Sequence, residues 1–526
     1  MPSARSAVIG LLLPLAGCLV GPDFKKPPAP ISERFLGAAK PAMSQSKEYR
    51  DWWKSFNDPV LNKLVDIAYA QNLTLLDAGT RVIQARAALG IAVGEFYPQV
   101  QQGVGGAIYN GQSRRSATSD AFIPRYFWSD DLGANIAWEL DFWGKFRRGV
   151  ETADAAYLAS IATYDDVLVT LLGDVTTVYI GIRTTQQQIA IARDNVVKQR
   201  KALAIANARF VGGAASKLSV YQAQNVLAQT ESAIPQLQIQ LDQGLDALRL
   251  LLGMPPQPLD ALLSGSNGIP VPPSFVAVGV PADLVRRRPD IRAAELAAAA
   301  QSAQIGIAEA DLYPAFSLTG SFGGAASTVP HADLGDVFTS KGITFAFGPS
   351  FSWNILNYGQ ITNNVRVQDA KLQQLLVDYQ NTVLKAQKEV EDGLATFRHS
   401  QAQVADLRRS VAAANAALRI SIAEYNQGTR DFTTVLTAEQ NLYTAENDLA
   451  TASGNVSSGL TAVFRALGGG WQIREGHDFV PPAVRDEMRA RTNWGNVLPP
   501  AGQSQPQPPG LPSSDDVGPR VRAPEW

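Results

Sequence analysis

The sequence predicts a mixed α and β fold, in which four long β-strands stand among long α-helices in two structural repeats. Three observations predict it. Four stretches alternate between apolar and polar residues, long proline-free segments carry apolar residues at helical spacing, and a set of residues recurs at an offset of about 215 positions in the 526-residue chain. A period of two indicates a strand with one apolar face, whereas a period of 3.6 indicates a helix.

The amino terminus has the pattern of a secretory signal peptide, which we assign to residues 1–17. Its apolar core, Ala7 to Leu15, is too short to span a bilayer. The sequence Leu15-Ala16-Gly17-Cys18 resembles a bacterial lipobox, and Cys18 is the only cysteine in the chain. We therefore expect the Cys18 thiol to carry lipid. Because Leu rather than Asp follows at position 19, the resemblance implies sorting to the bacterial outer membrane.

The residues that follow divide into a tether and a first repeat. Residues 18–50 are rich in Pro, Ala and Ser and are expected to form an extended, lipidated tether. The first repeat is assigned to residues 51–252. It begins with a helix that ends at Tyr97-Pro98, continues with strands at about 99–109 and 131–142, and closes with a long helix, a turn at Gly212-Gly213 and another helix. In the first strand the apolar residues of the alternation are Val100, Val104 and Ile108, and the pattern is less regular than in the other three.

The second repeat, residues 282–470, follows a linker or equatorial segment at 253–281. Tyr313-Pro314 matches Tyr97-Pro98, and Trp353 matches Trp138. Its strands are predicted at about 315–324 and 343–355, again followed by a long helix. Helices of sixty or more residues extend roughly 100 Å and must therefore lie against one another. Residues 471–526 are assigned to an equatorial segment and a disordered tail that is dense in Pro, Gln, Gly and Ser.

The strands allow two interpretations. One is a small antiparallel sheet whose apolar face covers a soluble core, and the other is a transmembrane β-barrel with an apolar outer face. The signal peptide favours the barrel, and no stretch of 18 uninterrupted apolar residues offers a transmembrane helix instead. Because four strands cannot close a barrel, the second interpretation requires several chains.

Composition argues against several other functions. The chain has 46 basic and 48 acidic residues, which gives no electrostatic reason to expect nucleic-acid binding. The three histidines are far apart, and no glycine-rich loop precedes Lys-Ser or Lys-Thr. We therefore expect neither enzymatic activity nor a cofactor or metal. The arginine triplet at 286–288, considered alone, predicts a solvated charge run or a helix that starts at Pro289.

Several motifs together resemble one family. They are Val20-Gly21-Pro22-Asp23-Phe24, Trp52-Trp53, Leu284-Val285-Arg286-Arg287-Arg288-Pro289-Asp290-Ile291-Arg292-Ala293-Ala294-Glu295, Ile305-Gly306-Ile307-Ala308-Glu309-Ala310 and Ala466-Leu467-Gly468-Gly469-Gly470-Trp471. The chain resembles outer-membrane efflux proteins of the TolC and OprM type, in their lipoprotein (NodT-like) branch. The resemblance implies a homotrimer whose four transmembrane β-strands per chain form a 12-stranded β-barrel, continued by a periplasmic α-helical barrel.

The function implied is an outer-membrane exit duct of a tripartite efflux pump that expels small molecules such as drugs. Its partners would be a periplasmic adaptor protein, an inner-membrane RND pump and outer-membrane lipid. Two alternatives stay open, a duct for type I protein secretion and a periplasmic lipoprotein scaffold without a pore. The predicted inward face of the barrel is polar. Its residues are Asn135, Glu139, Asp141, Thr319, Ser321, Thr344 and Ser350.

The resemblance also implies a gate at the periplasmic tip, held by a tyrosine and an arginine and lined by acidic residues. Tyr425 and Arg430 match the first two. The lining differs from the family pattern. Thr434 and Thr437 stand at acidic positions, Ser219 stands where the first repeat often has Asp, and Asp431 is the nearest carboxylate. The alternative is that these are ordinary polar residues of an exposed helical hairpin.

Overall fold

The eight longer helices of the described chain follow the predicted order. A computed structural model describes residues 19–36, 47–113, 115, 124–266, 268–273, 287–329 and 333–498, so Cys18 and the signal peptide lie outside the described residues. The helices are α1 (Pro59–Gln71), α2 (Leu73–Glu95), α3 (Lys145–Val211), α4 (Lys217–Leu251), α5 (Pro289–Ala310), α6 (Gln360–Asn426), α7 (Phe432–Ala466) and α8 (Pro482–Arg491). Helical turns lie at Lys47–Arg50, Trp52–Phe56, Asp260–Leu263, Leu334–Phe338 and Trp471–Arg474.

The two repeats agree in element length as well as in sequence. Both α3 and α6 have 67 residues, and both α4 and α7 have 35. Each long helix is preceded by a glycine in the left-handed region, Gly144 with φ of 80° and Gly359 with φ of 81°. A side chain with a Cβ is strained there. The same backbone turn therefore starts both helices.

The four strands form one antiparallel sheet in the order β1-β2-β3-β4. They are β1 (Val100–Gly111), β2 (Tyr126–Leu140), β3 (Ala315–Ser327) and β4 (Ile343–Ser352). β2 starts five residues before the predicted position because Tyr126 to Asp130 pair with the end of β1. β1 and β4 are edge strands in the single chain, and an unpaired edge offers free backbone groups to another strand.

One face of this sheet is apolar and largely uncovered; of the described elements, the turn Leu334–Phe338 contacts it near Gly324. Directly paired residues of neighbouring strands point to the same face, and the register places Ile136, Gly320 and Phe347 side by side. Neither hydrophobic core cluster contains a strand residue. The large exposed residues of this face include Leu132, Ile136, Leu318, Phe322, Ile343, Phe345, Phe347 and Phe351. The structure thus contradicts the interpretation of a sheet packed on a soluble core.

The opposite face is polar but differs from the prediction at two places. Val104 and Ile108 of β1 pair with Gly133 and Ser129, so they lie on the polar face. The positions of β1 on the apolar face of the sheet include glycines, which have no side chain and so do not show the face in a hydrophobic pattern. Asp141 is predicted to face inward, but it lies beyond the end of β2. Its carboxylate accepts hydrogen bonds from the backbone amides of Phe146 (2.9 Å) and Arg147 (3.1 Å). These amides at the start of α3 have no partner within the helix.

The helices pack in antiparallel pairs, α6 on α7 and α3 on both α4 and α5. The main core cluster lies where α1, α2 and α5 join these pairs. A second cluster lies around the two turns at the far ends of α3 and α6. Over one 18-residue window α3 is apolar enough to cross a bilayer, but 61% of that window is buried. We therefore describe α3 as a core helix.

Candidate functional site

The described chain begins with a segment that is docked against the helices beside the sheet. The Val20 amide donates to the Trp143 carbonyl (3.1 Å). Arg148 on α3 is buried and donates to the carbonyls of Val20 (3.1 Å) and Gly21 (3.1 Å). The start of the predicted tether is therefore held by hydrogen bonds directly after position 18.

Two glycines allow this docking. Gly21 has φ of +87°, and a Cβ on it would lie 2.3 Å from the Gly306 Cα. A Cβ on Gly306 would in turn lie 2.8 Å from a backbone carbonyl oxygen of the docked segment. Arg148 also forms ion pairs with Asp23 (2.9 Å) and Glu151 (2.7 Å). The opening motif and the motif around Gly306 thus form a single contact.

The segment then follows α5 and α6. Lys26 pairs with Glu295 on α5 (2.8 Å), and the Ser32 amide donates to the Gln387 side chain on α6 (3.0 Å). Phe35 joins the main core cluster. We call residues 19–36 the docked segment, since it is held along its length rather than only at its ends.

Two equivalent tryptophans tie the sheet to the helices. Trp138 Nε1 donates to the Phe96 carbonyl (3.3 Å), and Trp353 Nε1 donates to the Leu312 carbonyl (3.0 Å). Each acceptor directly precedes one of the Tyr-Pro pairs. The repeat found in the sequence therefore has a structural counterpart in two matched hydrogen bonds at the junction of sheet and helices.

Arg288, the last residue of the arginine triplet, is buried and paired rather than solvated. Arg288 is buried and donates to Asp290 (2.7 and 2.9 Å), Glu389 (2.7 Å) and the Ala466 carbonyl (2.9 Å). Gly468 has φ of +69°, and its Cβ would lie 3.1 Å from the Arg288 Cα. The arginine motif and the closing glycine motif thus fasten the start of α5 to the end of α7. Arg286 lies outside the described residues.

The turns after the two long helices meet at one end of the molecule, which we call the tip. Arg209, near the end of α3, donates to the Tyr425 carbonyl, and its guanidinium lies 4.6 Å from the centre of the Tyr425 ring. A Cβ on Gly428 would lie 3.4 Å from Arg209. Arg209 is absent from the predicted site. The one feature of the sequence that could have indicated Arg209 is its position directly before Phe210, which is equivalent to Tyr425 in the other repeat.

Among the described residues, the structure shows no hydrogen bond between Tyr425 and Arg430. The Tyr425 ring packs against Phe432 with centroids 5.0 Å apart, and its buried hydroxyl has no described partner. Burial raises the pKa of the Tyr425 hydroxyl, so it remains a neutral donor near neutral pH. Arg430 is exposed and pairs with Glu424 (3.5 Å). Glu424 stands 215 positions after Arg209, so equivalent positions of the two repeats carry opposite charges at the tip.

Three other predicted gate residues line one groove between α6 and α7. Asp431, Thr434 and Thr437 line a groove with a volume of about 920 Å³. The Asp431 side chain accepts no cap hydrogen bond from α7. Ser219 is not in this lining and lies in the first turn of α4. The structure therefore groups Asp431 with the two threonines and separates them from Ser219.

Long antiparallel helices that end in a four-stranded sheet with a largely uncovered apolar face are the architecture of outer-membrane channel subunits. The solved structure of the outer-membrane channel OprN matches this chain with a TM-score of 0.80 and 31% identity, covering 86% of this chain and 100% of that one. The chain matches the Outer membrane efflux protein family over residues 64–254 and 280–469, and it belongs to this family.

Curated relatives agree over nearly the full length. Nodulation protein T of Rhizobium leguminosarum bv. viciae is 31% identical over 94% of this chain and 97% of its own length. The toluene efflux pump outer membrane protein TtgF of Pseudomonas putida is 29% identical over 88% of this chain and 96% of its own. The resemblance seen in the motifs is confirmed. The family is one of efflux proteins, consistent with the expectation that the chain is not an enzyme.

Proposed function

We propose that this chain is the outer-membrane exit duct of a tripartite efflux pump that expels small molecules such as drugs. It would work as a homotrimer with a periplasmic adaptor and an inner-membrane RND pump. The observation that carries the proposal is the largely uncovered apolar sheet face, with the outer edges of β1 and β4 open among the described residues, on a chain of the efflux family. Lipid would cover the apolar face, and neighbouring chains would pair the edges.

Three chains would supply twelve strands, with β1 of one chain next to β4 of its neighbour. A barrel of eight strands is filled by its own side chains, whereas a larger barrel leaves room for water. The polar sheet face supports this arrangement, because the register aligns Asn135 with Ser321 and Glu139 with Ser317 and Ser350. We propose that α3, α4, α6 and α7 continue this barrel into the periplasm, within repeats divided at residues 51–252 and 282–470.

The docked segment supports a lipid anchor at Cys18. Because residues 19–21 are bonded beside the sheet, an acyl chain on Cys18 would start close to the membrane-facing strands. We expect Cys18→Ser to abolish palmitate incorporation in growing cells. Label that persists in this variant would refute the lipidation site. A barrel buries far more apolar surface than one acyl chain, so the variant is expected to remain membrane-bound.

The direct test of a duct is electrical recording from the purified full-length protein in planar lipid bilayers. We expect discrete conducting steps, and their absence from a correctly assembled oligomer would favour the scaffold without a pore. Co-purification of the protein from its native cells distinguishes the two kinds of duct. An RND pump and adaptor among the bound proteins support small-molecule efflux, whereas an ABC transporter would indicate type I secretion.

We propose that the tip residues close the duct. Arg430 is held by Glu424, and the Tyr425 hydroxyl, which has no described partner in its own chain, would bond to a neighbouring chain. Each lost hydrogen bond would weaken the closed state by about 1 kcal/mol, which is several-fold in the closing equilibrium. We expect Tyr425→Phe with Arg430→Ser to raise the mean conductance at least several-fold.

The matched control for this experiment is Arg419→Ser. Arg419 is an exposed arginine like Arg430, but it lies within α6, eleven positions before Arg430, so its replacement should leave the conductance unchanged. If the double variant and the unmodified channel have equal conductance, the proposal that Tyr425 and Arg430 close the duct is refuted. In that case, Asp431, Thr434, Thr437 and Ser219 would be ordinary polar residues of the hairpin.

A further inference from the structure

The core of the tip contains one carboxylic acid, Glu439 on α7. Its side chain is almost fully enclosed, with 1% of the residue exposed, and neither carboxyl oxygen has a hydrogen-bond partner among the described residues. An ionised carboxylate without a partner is very unfavourable in an apolar interior. The packed position therefore favours the neutral acid of Glu439 over its carboxylate.

The register of α3 and α7 identifies the surroundings of Glu439. Asn195 donates to Glu446 (2.7 Å), and Gln188 donates to Thr451 (3.1 Å), so the antiparallel helices bring Glu439 level with Ala202. The cluster that fills this region is apolar. Its residues are Ala202, Ala206, Val220, Ala223, Val226, Leu418, Tyr425, Phe432, Val435, Leu436, Ala438 and Leu442.

The charged groups of the neighbouring helices are engaged elsewhere or exposed. On α3, Lys198 pairs with Asp194 (2.7 Å) and Glu446 (3.5 Å), and Arg200 pairs with Glu231 (2.7 Å). Other charged or titratable groups near this level are the exposed Lys201 on α3, Arg209 in contact with Tyr425, the exposed Arg419 on α6, and Tyr443, which lies one turn from Glu439 on α7. Burial alone raises the pKa of Glu439 to about 7.

We propose that Glu439 is a proton-binding site that controls the packing of the tip. The neutral acid lets α7 pack on α3, and loss of the proton loosens this contact. This inference rests on the proposed function, because it assigns a regulation to the same tip that would close the duct. It concerns a group inside the packed helices rather than the residues that line the opening.

The direction of the pH effect follows from the two pKa values. In the packed tip the Glu439 pKa is about 7, whereas a solvated carboxyl has the ordinary value of 4.5. At a pH below both values the proton favours neither form. As the pH rises from the lower value to the higher one, the packed form loses stability, and above the higher value the loss is complete. Each pKa unit is a factor of ten, so the full shift is on the order of a hundredfold.

Hydrogen exchange of the purified full-length protein in detergent tests this proposal. The informative amides lie in residues 199–209 and 432–442, with rates corrected for intrinsic exchange between about pH 5 and 8. In the unmodified protein we expect protection to fall by up to the order of a hundredfold as the pH rises, and then to level off. Glu439→Gln cannot ionise and should lose this dependence.

The control is Glu446→Gln, which lies on the same face of α7 but is paired with Asn195 and Lys198. It should retain the pH dependence of the unmodified protein. Glu439→Met serves as a second variant if the glutamine variant does not fold. Protection that is independent of pH in the unmodified protein, or equally dependent in Glu439→Gln, would overturn the proton site.

Hydrogen exchange does not require a pore, so the two proposals can fail separately. If the protein conducts no ions but shows the predicted pH-dependent exchange, the proposed function is refuted and the proton site at Glu439 is supported. A conducting channel whose tip exchanges equally at every pH would overturn the proton site alone.

Discussion

At the residue scale, close backbone contacts explain motifs that have no chemical function. Gly306 is such a residue, because a Cβ there would lie 2.8 Å from a carbonyl oxygen and 2.9 Å from Arg148. We expect Gly306→Ala to displace the docked segment and to increase tryptic cleavage after Lys25. Gly90→Ala is the matched control, since Gly90 is also helical but has nothing within 4 Å of its added Cβ. Equal cleavage of both variants would show that the segment is not held at Gly306.

The partners of such residues could not be predicted from the sequence. Arg148 lies more than one hundred positions from the docked segment, and Arg209 lies in the other repeat from Tyr425. A helical periodicity identifies which face of α3 is buried, but it does not identify what covers that face. For the same reason the sequence did not indicate that Arg209 would contact Tyr425.

At the element scale, the strands were predictable where large residues alternate with polar ones, as in β2. They were not predictable in β1, whose apolar side contains Gly103 and Gly105 and whose polar side contains Val104 and Ile108. Since glycine has no side chain, only Val100, Val104 and Ile108 contributed to the alternation in β1, and the alternation assigned their side of the strand to the apolar face of the sheet. A shift of one residue exchanges the two faces of a strand, so only the pairing with β2 identifies the correct face.

The faces of β4 provide the test of this assignment. Phe347 is 69% exposed on the apolar side, and Ser350 lies on the polar side. Phe347→Lys near the bilayer midplane should lower the free energy of unfolding in lipid vesicles by about 2 to 4 kcal/mol. Ser350→Lys should cost less, because its side chain would face water. If denaturant titrations show a larger loss of unfolding free energy for Ser350→Lys than for Phe347→Lys, the assignment of the two faces is wrong.

At the scale of the whole molecule, the open edges of the sheet predict an obligate oligomer. In the described part of a single chain, the outer edges of β1 and β4 have no neighbouring strand and most of the apolar face is exposed, so a stable folded monomer is not expected. Light scattering of the detergent-purified protein, corrected for bound detergent, should give about three times the chain mass. Monomers with intact strand content would contradict the proposed trimer.

The equal lengths of α3 and α6, 67 residues each, have a further consequence for how this chain can vary. Each residue added to a helix advances its end by about 1.5 Å and rotates it by about 100°. A single insertion in α3 alone would therefore turn Arg209 away from Tyr425 and lift one tip turn past the other. Changes in length are compatible with this tip only when they occur in both repeats together, or as whole turns compensated in α4 or α7.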